Sequence, residues 1–405
     1  MVRPRTIIFL LSGSVSVVFF LFVSLTSRFN LLGVPIMSLP FADLRLVSSA
    51  SDCVQNGGWS YSDLNCDPWG RPFNYPSLWV KIFSAAGVVE GQTEFIGRMQ
   101  IILLIATMFW WIRFTLQLAA SKYSRPILIG VAVIFLASPP VLLLMERGNV
   151  DIWIFFGLSI ATVLISRGHY FVPIALLSFL GALKIYPLAS FVIVLKSKFT
   201  RKRVFFFLLS FVLAGLSFLG EWQFVLSRSI STWNSISYGS SLVPLMFFQV
   251  LGLPGSKSLA TLLGWFAFFI TALIIKFSFA AQLTSFGKTL SLNSNSLFVL
   301  QGFGSAFLFT YLVGTSYDLR LILLLPVFLT FASLTKTGRQ SYFLLGTVFM
   351  VMYGGQFTSG FGKVGLFLNT TSDVSLAIFS SFLFLIIWQN SLPTQRIFNL
   401  IQRRH

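Results

Sequence analysis

Apolar stretches of about 20 residues recur along this chain, and each is long enough to cross a lipid bilayer as an α-helix. A membrane-spanning β-barrel would instead show shorter segments of alternating polarity. Charged residues make up 10% of the 405 residues, against about 25% in soluble domains. These features predict an all-α polytopic membrane protein, with residues 1–405 forming a single integral-membrane domain.

The positions of these stretches predict a bundle of about 11–13 transmembrane helices. Residues 28–98 form a long first extracytoplasmic loop, whose short apolar patches suit helices on the membrane surface. Residues 242–254 are too short to cross and are expected to dip into the bilayer and return. The predicted crossings lie at about 6–27, 99–120, 127–144, 152–166, 170–183, 187–196, 204–220, 258–280, 296–314, 319–334, 341–358 and 374–390.

Basic residues set the predicted orientation, because short loops rich in Lys and Arg stay on the cytoplasmic side. The N-terminus is then cytoplasmic, and all 11 acidic residues fall on the extracytoplasmic side. The net charge of +18 is explained by these loops and does not predict nucleic-acid binding. We expect a multi-pass protein of a bacterial inner membrane, with its chemistry on the extracytoplasmic face.

Four polar clusters interrupt the apolar sequence on that face, and a carboxylate in them could act as a base. Each also has a structural alternative: a solvated loop aspartate, a helix cap, an interfacial Lys/Tyr anchor or a simple helix start. The clusters are Asp43 with its neighbours, then Glu146, Arg147, Asn149 and Asp151, then Lys184 and Tyr186, and finally Asp318 and Arg320.

Cysteine and histidine usage limits the other chemistry. Cys53 and Cys66 both lie in the first outer loop, where an oxidising compartment makes a disulfide plausible, and two free thiols are the alternative. His169 and His405 are cytoplasmic in the predicted topology, which disfavours a histidine-ligated metal or a serine–histidine pair outside. No metal and no cofactor are therefore expected.

The clusters resemble the GT-C glycosyltransferases, in particular the polyprenol-phosphate-mannose-dependent α-mannosyltransferase-like group. The resemblance rests on Asp43, on Arg147-Gly148-Asn149-Val150-Asp151 and on Leu183-Lys184-Ile185-Tyr186-Pro187, one helical hairpin later. In the first loop, the segments 67–72 and 74–76 are similar to a signature of relatives of this group. The resemblance covers about the first 200 residues, and the C-terminal half matches mainly in hydropathy and in Tyr317-Asp318-Leu319-Arg320.

This resemblance implies a GT-C bundle and an inverting displacement, in which a polyprenyl-phosphate-linked hexose, by family default mannose, is the donor substrate. The partners would be membrane lipids, this donor and a glycolipid or glycan acceptor. Asp43 would be the catalytic base, and Arg147, Lys184 and Arg320 would bind the donor phosphate. The remaining residues, which would orient these groups or bind sugar and acceptor hydroxyls, are Glu146, Asn149, Asp151, Tyr186, Asp318, Arg71, Asn74 and Tyr75.

Three other functions are compatible with the same sequence. A transporter or flippase for a lipid-linked sugar would use charges near the membrane, although transporters usually place them at the midplane and often show inverted repeats. A polysaccharide ligase would share the outer-face chemistry and differ in its donor. A non-enzymatic scaffold would leave the four polar clusters unexplained.

Overall fold

The computed structural model describes residues 34–58, 64–119, 121, 124–195, 201–218, 221, 237–250, 256–285, 294–313, 316–354 and 362–390. Most of these described residues are helical. Three helical segments are long and apolar enough to cross a membrane, namely Glu90–Leu118, Lys257–Ser278 and Thr370–Gln389. The prediction of an all-α membrane protein is thus confirmed, whereas the number of crossings stays a prediction, and the predicted first span at 6–27 lies outside the described residues.

The helices in chain order are α1 (Ala42–Gln55), α2 (Ser77–Ala85), α3 (Thr93–Leu118), α4 (Ser124–Leu136), α5 (Pro139–Arg147), α6 (Asp151–Ser166), α7 (Phe171–Leu183), α8 (Val192–Leu195), α9 (Arg201–Phe218), α10 (Leu242–Val250), α11 (Lys257–Ser278), α12 (Ser294–Leu312), α13 (Leu324–Ser333), α14 (Gly338–Tyr353) and α15 (Gly362–Gln389). Three 3₁₀ segments lie at Glu90–Gln92, Tyr186–Phe191 and Asp318–Leu323. Two short strands, β1 (Ser237–Tyr238) and β2 (Ser316–Tyr317), pair antiparallel.

The hairpin of α6 and α7 follows the predicted spans closely. α6 begins one residue before the predicted 152–166, and α7 matches the predicted 170–183 to within a residue. Gly168 separates the two helices with a φ of +85°, a conformation that glycine adopts without strain. α6 packs against α7, and α12 packs against the 3₁₀ segment that follows α7. The start of α6, the end of α7 and the 3₁₀ segment that follows α7 therefore lie at the same end of the bundle.

The predicted span at 127–144 is not one straight helix. It consists of α4 and α5, which are bent by 48° around Ala137 and Ser138. Pro139 and Pro140 open α5, and because proline has no N–H and clashes with the preceding turn, an α-helix cannot continue through this pair. The bend directs the end of α5, with Glu146 and Arg147, toward the first-loop segment.

Two other predicted spans differ from regular helices. The predicted crossing at 187–196 is the 3₁₀ segment Tyr186–Phe191 followed by the four-residue α8. At about 2.0 Å per 3₁₀ residue and 1.5 Å per α residue, it is too short to cross a bilayer of about 30 Å. The predicted span at 319–334 likewise begins as 3₁₀ helix at Asp318–Leu323.

The segment 363–373, which lies between the predicted crossings at 341–358 and 374–390 and was expected to be an outer loop, is helical and belongs to α15. Asp373 is therefore not a loop residue. Its side chain is buried, and its Oδ2 accepts no hydrogen bond from the described residues. Thr370, Thr371 and Ser372 precede Asp373, and such residues are tolerated in a helix when the neighbouring chain packs against them, which the hydropathy pattern does not reveal.

The first-loop helices pack into the protein and not only along its surface. Trp79 and Val80 of α2 are buried, and the Trp79 indole N–H donates to the carbonyl oxygen of Leu183 at 3.1 Å. α1 packs against α2, α3 and α5. Cys53 and Cys66 form a disulfide with a Cα–Cα distance of 6.0 Å. The first loop is thus a structured part of the core at the end where the polar clusters meet.

Candidate active site

Four chain breaks meet at one end of the helical core and carry the polar residues. They are the start of α1 with Asp43, the α5–α6 junction, the α7–3₁₀ junction and the 3₁₀ segment Asp318–Leu323. The four predicted clusters thus converge, as a chain of polar contacts of 2.6 to 3.6 Å shows. Polar breaks of this kind lie at helix ends because backbone groups there lack intrahelical partners.

The α5–α6 junction is built by a glycine and an asparagine. Gly148 follows α5 with a φ of +56°, which favours glycine at the C-terminal cap of a helix. The Asn149 side-chain oxygen then accepts the N–H of Asp151 at 2.9 Å and satisfies an unpaired donor of α6. Asn149 therefore does act as a helix cap, which was the structural alternative, and it also makes contacts in the site.

Asp43 is the partly exposed carboxylate of the cluster, with its side chain 20% exposed. Its Oδ2 accepts from Asn149 Nδ2 at 2.6 Å, and its Oδ1 lies 3.6 Å from Arg71 NH1. The same Asn149 nitrogen donates to the Tyr75 hydroxyl at 3.2 Å. Burial, and then the Asp43 carboxylate, raise the pKa of Tyr75 well above its ordinary value, so the phenol keeps its proton.

Asp151 lies deeper and collects cations. Its Oδ1 accepts from Lys184 Nζ and from the Tyr186 hydroxyl, both at 2.7 Å, and its Oδ2 lies 3.5 Å from Arg320 Nε. The exposed fractions of the side chains are 1% for Asp151, 9% for Lys184 and 27% for Arg320. Burial lowers the pKa of Lys184 to about 8, against the opposing effect of Asp151. Arg320 is therefore the most accessible of these charges.

Glu146 and Arg147 hold residues 35–41, the segment that leads to Asp43. Glu146 Oε1 accepts the N–H of Met37 at 2.9 Å, and its carbonyl oxygen accepts the N–H of Phe41 at 3.0 Å. Arg147 Nε pairs with Glu146 Oε2 at 3.0 Å, and its NH2 reaches the carbonyl oxygen of Pro35 at 3.4 Å. Arg147 is 15% exposed. The pair links the end of α5 to residues 35–41.

Phe41 adopts a strained conformation immediately before α1. Its φ is +59°, the left-handed region that bulky residues rarely adopt. Its ring fills a space left by two glycines, since a Cβ on Gly148 would lie 3.0 Å from Phe41 Cβ and one on Gly97 would lie 2.7 Å from Phe41 Cδ1, with two ring atoms nearer. Strain of this kind is common where a backbone is held in place for a function. Here it sets the start of the helix that carries Asp43.

Gly97→Ala is expected to destabilise the protein by about 1–3 kcal/mol, because the new methyl group overlaps the ring of Phe41, which is itself buried. The unfolding temperature should fall, and any activity that depends on Asp43 should fall with it. Gly346→Ala is the matched control in another helix, since nothing lies within 4 Å of its Cβ position. The control should gain up to about 1 kcal/mol of helix stability. Equal unfolding temperatures for the two variants would contradict the packing of Phe41.

Three further predicted residues differ in how they are placed. Arg71 lies in the site, between Asp43 and Asp67. Asn74 lies beside Tyr75, and its buried Oδ1 accepts no hydrogen bond from the part of the chain that is described. Asp318 begins its 3₁₀ segment, but its side chain lies outside the described atoms.

Sequence reasoning missed three residues of this site: Phe41 as a strained support, Gly97 as the space for its ring, and Asp67 as the partner of Arg71. Asp67 had a usable signal. An Asp followed by Pro-Trp-Gly is typical of a turn in which the side chain accepts backbone N–H groups, as it does here from Trp69 at 3.1 Å. No pattern indicated that a glycine in a transmembrane helix faces a phenylalanine from the first loop.

The arrangement combines a partly exposed carboxylate with cations of graded exposure, which is suited to moving a proton at one point and stabilising an anion at another. Within the described residues, no three His, Cys, Asp or Glu side chains converge as they would on a metal ion. The site is held by elements far apart in sequence, which favours a rigid geometry. No protein-family model, no curated protein and no solved structure matches this chain.

Proposed function

We propose that this protein is a GT-C type membrane glycosyltransferase with about 11–13 crossings, which transfers a hexose from a polyprenyl-phosphate-linked donor to a hydroxyl of a glycolipid or glycan on the extracytoplasmic face. One observation carries the proposal. Asp43 is a partly exposed carboxylate held by Asn149, and it shares one site with the partly exposed cation Arg320. A base and an anion-stabilising group in one site are what such a transfer requires. The likeness of the three polar motifs to this enzyme group gives the substrate class.

The reaction is a single inverting displacement. Asp43 takes the proton of the acceptor hydroxyl, and that oxygen forms a bond to the anomeric carbon of the donor. The bond from this carbon to the phosphate oxygen breaks on the opposite side, and the polyprenyl phosphate leaves with the electron pair. Asp43 afterwards releases its proton to water. The reaction needs no redox partner. Its charges balance, because the acceptor loses one proton and the leaving polyprenyl phosphate gains one negative charge.

Arg320 is the best-placed cation for the leaving phosphate, because it is more exposed than Lys184 and Arg147. Lys184 is buried against Asp151, so in this proposal it acts by fixing Asp151 and Asn149. Arg147 is paired with Glu146 and supports the segment before Asp43. The three cations were all expected to bind the donor phosphate. In this proposal one of them contacts the phosphate and the other two support neighbouring residues of the site.

The test is sugar transfer by the purified protein in lipid vesicles. Vesicles receive radiolabelled polyprenyl-phosphate-mannose and a glycolipid extract, and the product is separated from the donor by chromatography. Inverted stereochemistry at the labelled sugar is expected. Movement of labelled donor between leaflets with no product formed would overturn the proposal and favour a flippase.

A transporter of lipid-linked sugars is the second candidate, and Asp373 favours it. This buried carboxyl group lies inside the candidate span Thr370–Gln389, where ionisable residues often mark a transport pathway. Under the proposed transferase reaction it has no chemical role, since Asp43 and Arg320 carry the chemistry.

Asp373→Asn separates the two candidates. Because the variant replaces a buried acid by a neutral group of the same shape, the unfolding temperature should stay equal or rise, and transfer should stay within about twofold of wild type. Ser375→Ala, two residues on in the same helix, is the matched control. A wild type that moves labelled donor between leaflets without forming product, and an Asp373→Asn variant that folds normally but no longer moves it, would favour the transporter.

A further inference from the structure

We infer that Asp67 is a positioning residue that fixes the base Asp43 through Arg71, and that the Cys53–Cys66 disulfide keeps Asp67 in register for this purpose. The catalytic part of the inference rests on the proposed function. The structural part, that these residues hold the start of α1, stands independently of it. Neither Asp67 nor the disulfide contacts a reacting atom, so both act through Arg71.

Asp67 holds the guanidinium of Arg71 in one orientation. Its carboxylate is 2% exposed and receives Arg71 Nε at 3.0 Å on Oδ2 and Arg71 NH2 at 2.8 Å on Oδ1. Such a two-point contact fixes the plane of the guanidinium as well as its distance. Oδ2 also accepts the backbone N–H groups of Trp69 and Arg71, at 3.1 and 3.0 Å. The Arg71 side chain further stacks over the Trp69 ring at 4.6 Å.

Arg71 transfers this rigidity to the start of α1. Its NH2 donates to the carbonyl oxygen of Ala42 at 2.6 Å, and its NH1 lies 3.6 Å from Asp43 Oδ1. The other Asp43 oxygen is held by Asn149 at 2.6 Å. Each oxygen of the base therefore faces a polar group from a different part of the chain. Loss of one of these groups would free the carboxylate to rotate.

The disulfide closes these contacts into a ring. Asp43 lies in the first turn of α1 and Cys53 in its last turns, while Cys66 directly precedes Asp67. The bridge spans a sequence separation of 13. The path therefore runs from Asp43 along α1 to Cys53, across to Cys66, through Asp67 and Arg71, and back to Asp43. Without the bridge, the segment of Asp67 is held against α1 by non-covalent contacts such as those of Arg71 with Ala42 and Asp43.

The experiment compares Asp67→Asn, the double variant Cys53→Ser/Cys66→Ser and the triple variant in the transfer assay. A misplacement of about 1 Å can lower a rate by about 10²-fold, so we expect kcat to fall by about 10–100-fold while the donor KM stays within about twofold. The triple variant should be no slower than Asp67→Asn, because groups that act through one path are not additive. Asp52→Asn, on the same helix and with a side chain that bonds only to Asn56 among the described contacts, is the control and should keep the wild-type kcat.

Hydrogen–deuterium exchange gives a readout that does not depend on activity. In Asp67→Asn and in the double cysteine variant, the amides of the first turn of α1 should exchange about tenfold faster. One of them is the Arg45 N–H, which bonds to the Phe41 carbonyl oxygen at 2.8 Å. Faster exchange with no sugar transfer by wild type would uphold the positioning and overturn the proposed function. Unchanged exchange, an equal loss in kcat and donor affinity, or an additive triple variant would overturn the positioning.

Discussion

Asp43→Asn is expected to lower the rate of sugar transfer by about 10²–10⁴-fold, the usual contribution of a carboxylate base. The amide has nearly the shape of the carboxylate. Both oxygens of Asp43 face donors, so the new NH2 group fits best toward Arg71, the more distant donor at 3.6 Å, while the amide oxygen still accepts from Asn149. The amide cannot accept the proton of the acceptor hydroxyl. Because the proposed phosphate contact is Arg320 and not Asp43, the donor affinity should stay within about threefold of wild type.

The measurement is the transfer rate in vesicles, with donor affinity measured separately by equilibrium binding of labelled polyprenyl-phosphate-mannose. Asp52→Asn is the control, since Asp52 lies on the same helix and bonds only to Asn56 among the described contacts, at 2.8 Å. The control should retain full activity. A transferase that keeps its rate in Asp43→Asn would remove Asp43 as the base and direct attention to the remaining carboxylates.

Much of the helical architecture could be predicted from hydropathy alone. α6, α7 and α9 lie where the apolar runs placed them, because a helix in a bilayer must satisfy its own backbone and so extends through the apolar run. The departures have local causes. The Pro139-Pro140 pair divides one apolar stretch into two helices, and the length of an apolar stretch alone does not reveal such a break.

The convergence of the polar clusters could also be predicted, because charged residues at the ends of apolar helices are costly unless they meet partners. Their pairing could not. Hydropathy does not indicate that Lys184 faces Asp151 or that Arg320 lies beside the same carboxylate, since these pairs depend on how distant helix ends pack together. The predicted phosphate contacts therefore divide by exposure, which only the packed structure determines.

The support of Asp43 was the least predictable part. It depends on the left-handed Phe41 and on the space at Gly97, which lies 56 positions further along the chain than Phe41. Hydrophobic periodicity says which face of a helix is apolar, but it does not say which distant ring a glycine admits. Sequence reasoning thus found Asp43 and not the residues that hold it.

Asp151→Asn is expected to destabilise the protein by about 3–5 kcal/mol, the usual cost of removing one partner from a buried ion pair. Asp151 is 1% exposed and faces Lys184 and Arg320, so its loss leaves two neighbouring cations without the charge that balances them. Tyr186 also loses a charged acceptor for its hydroxyl. The apparent unfolding temperature in lipid nanodiscs, followed by tryptophan fluorescence, should fall by many degrees.

A double variant decides whether the charge causes this loss. Asp151→Asn with Lys184→Met removes both partners, so it should be more stable than Asp151→Asn alone, with a coupling of about 0.5–3 kcal/mol. Recovery should be incomplete, because Arg320 still lacks its carboxylate. Glu94→Gln is the surface control: its pair with Arg98 is 51% and 72% exposed, and removing it should change stability by less than about 0.5 kcal/mol. An Asp151→Asn protein as stable as the control would mean that water reaches the Asp151 cluster, and the division of the cations into a phosphate contact and two supports would then fail.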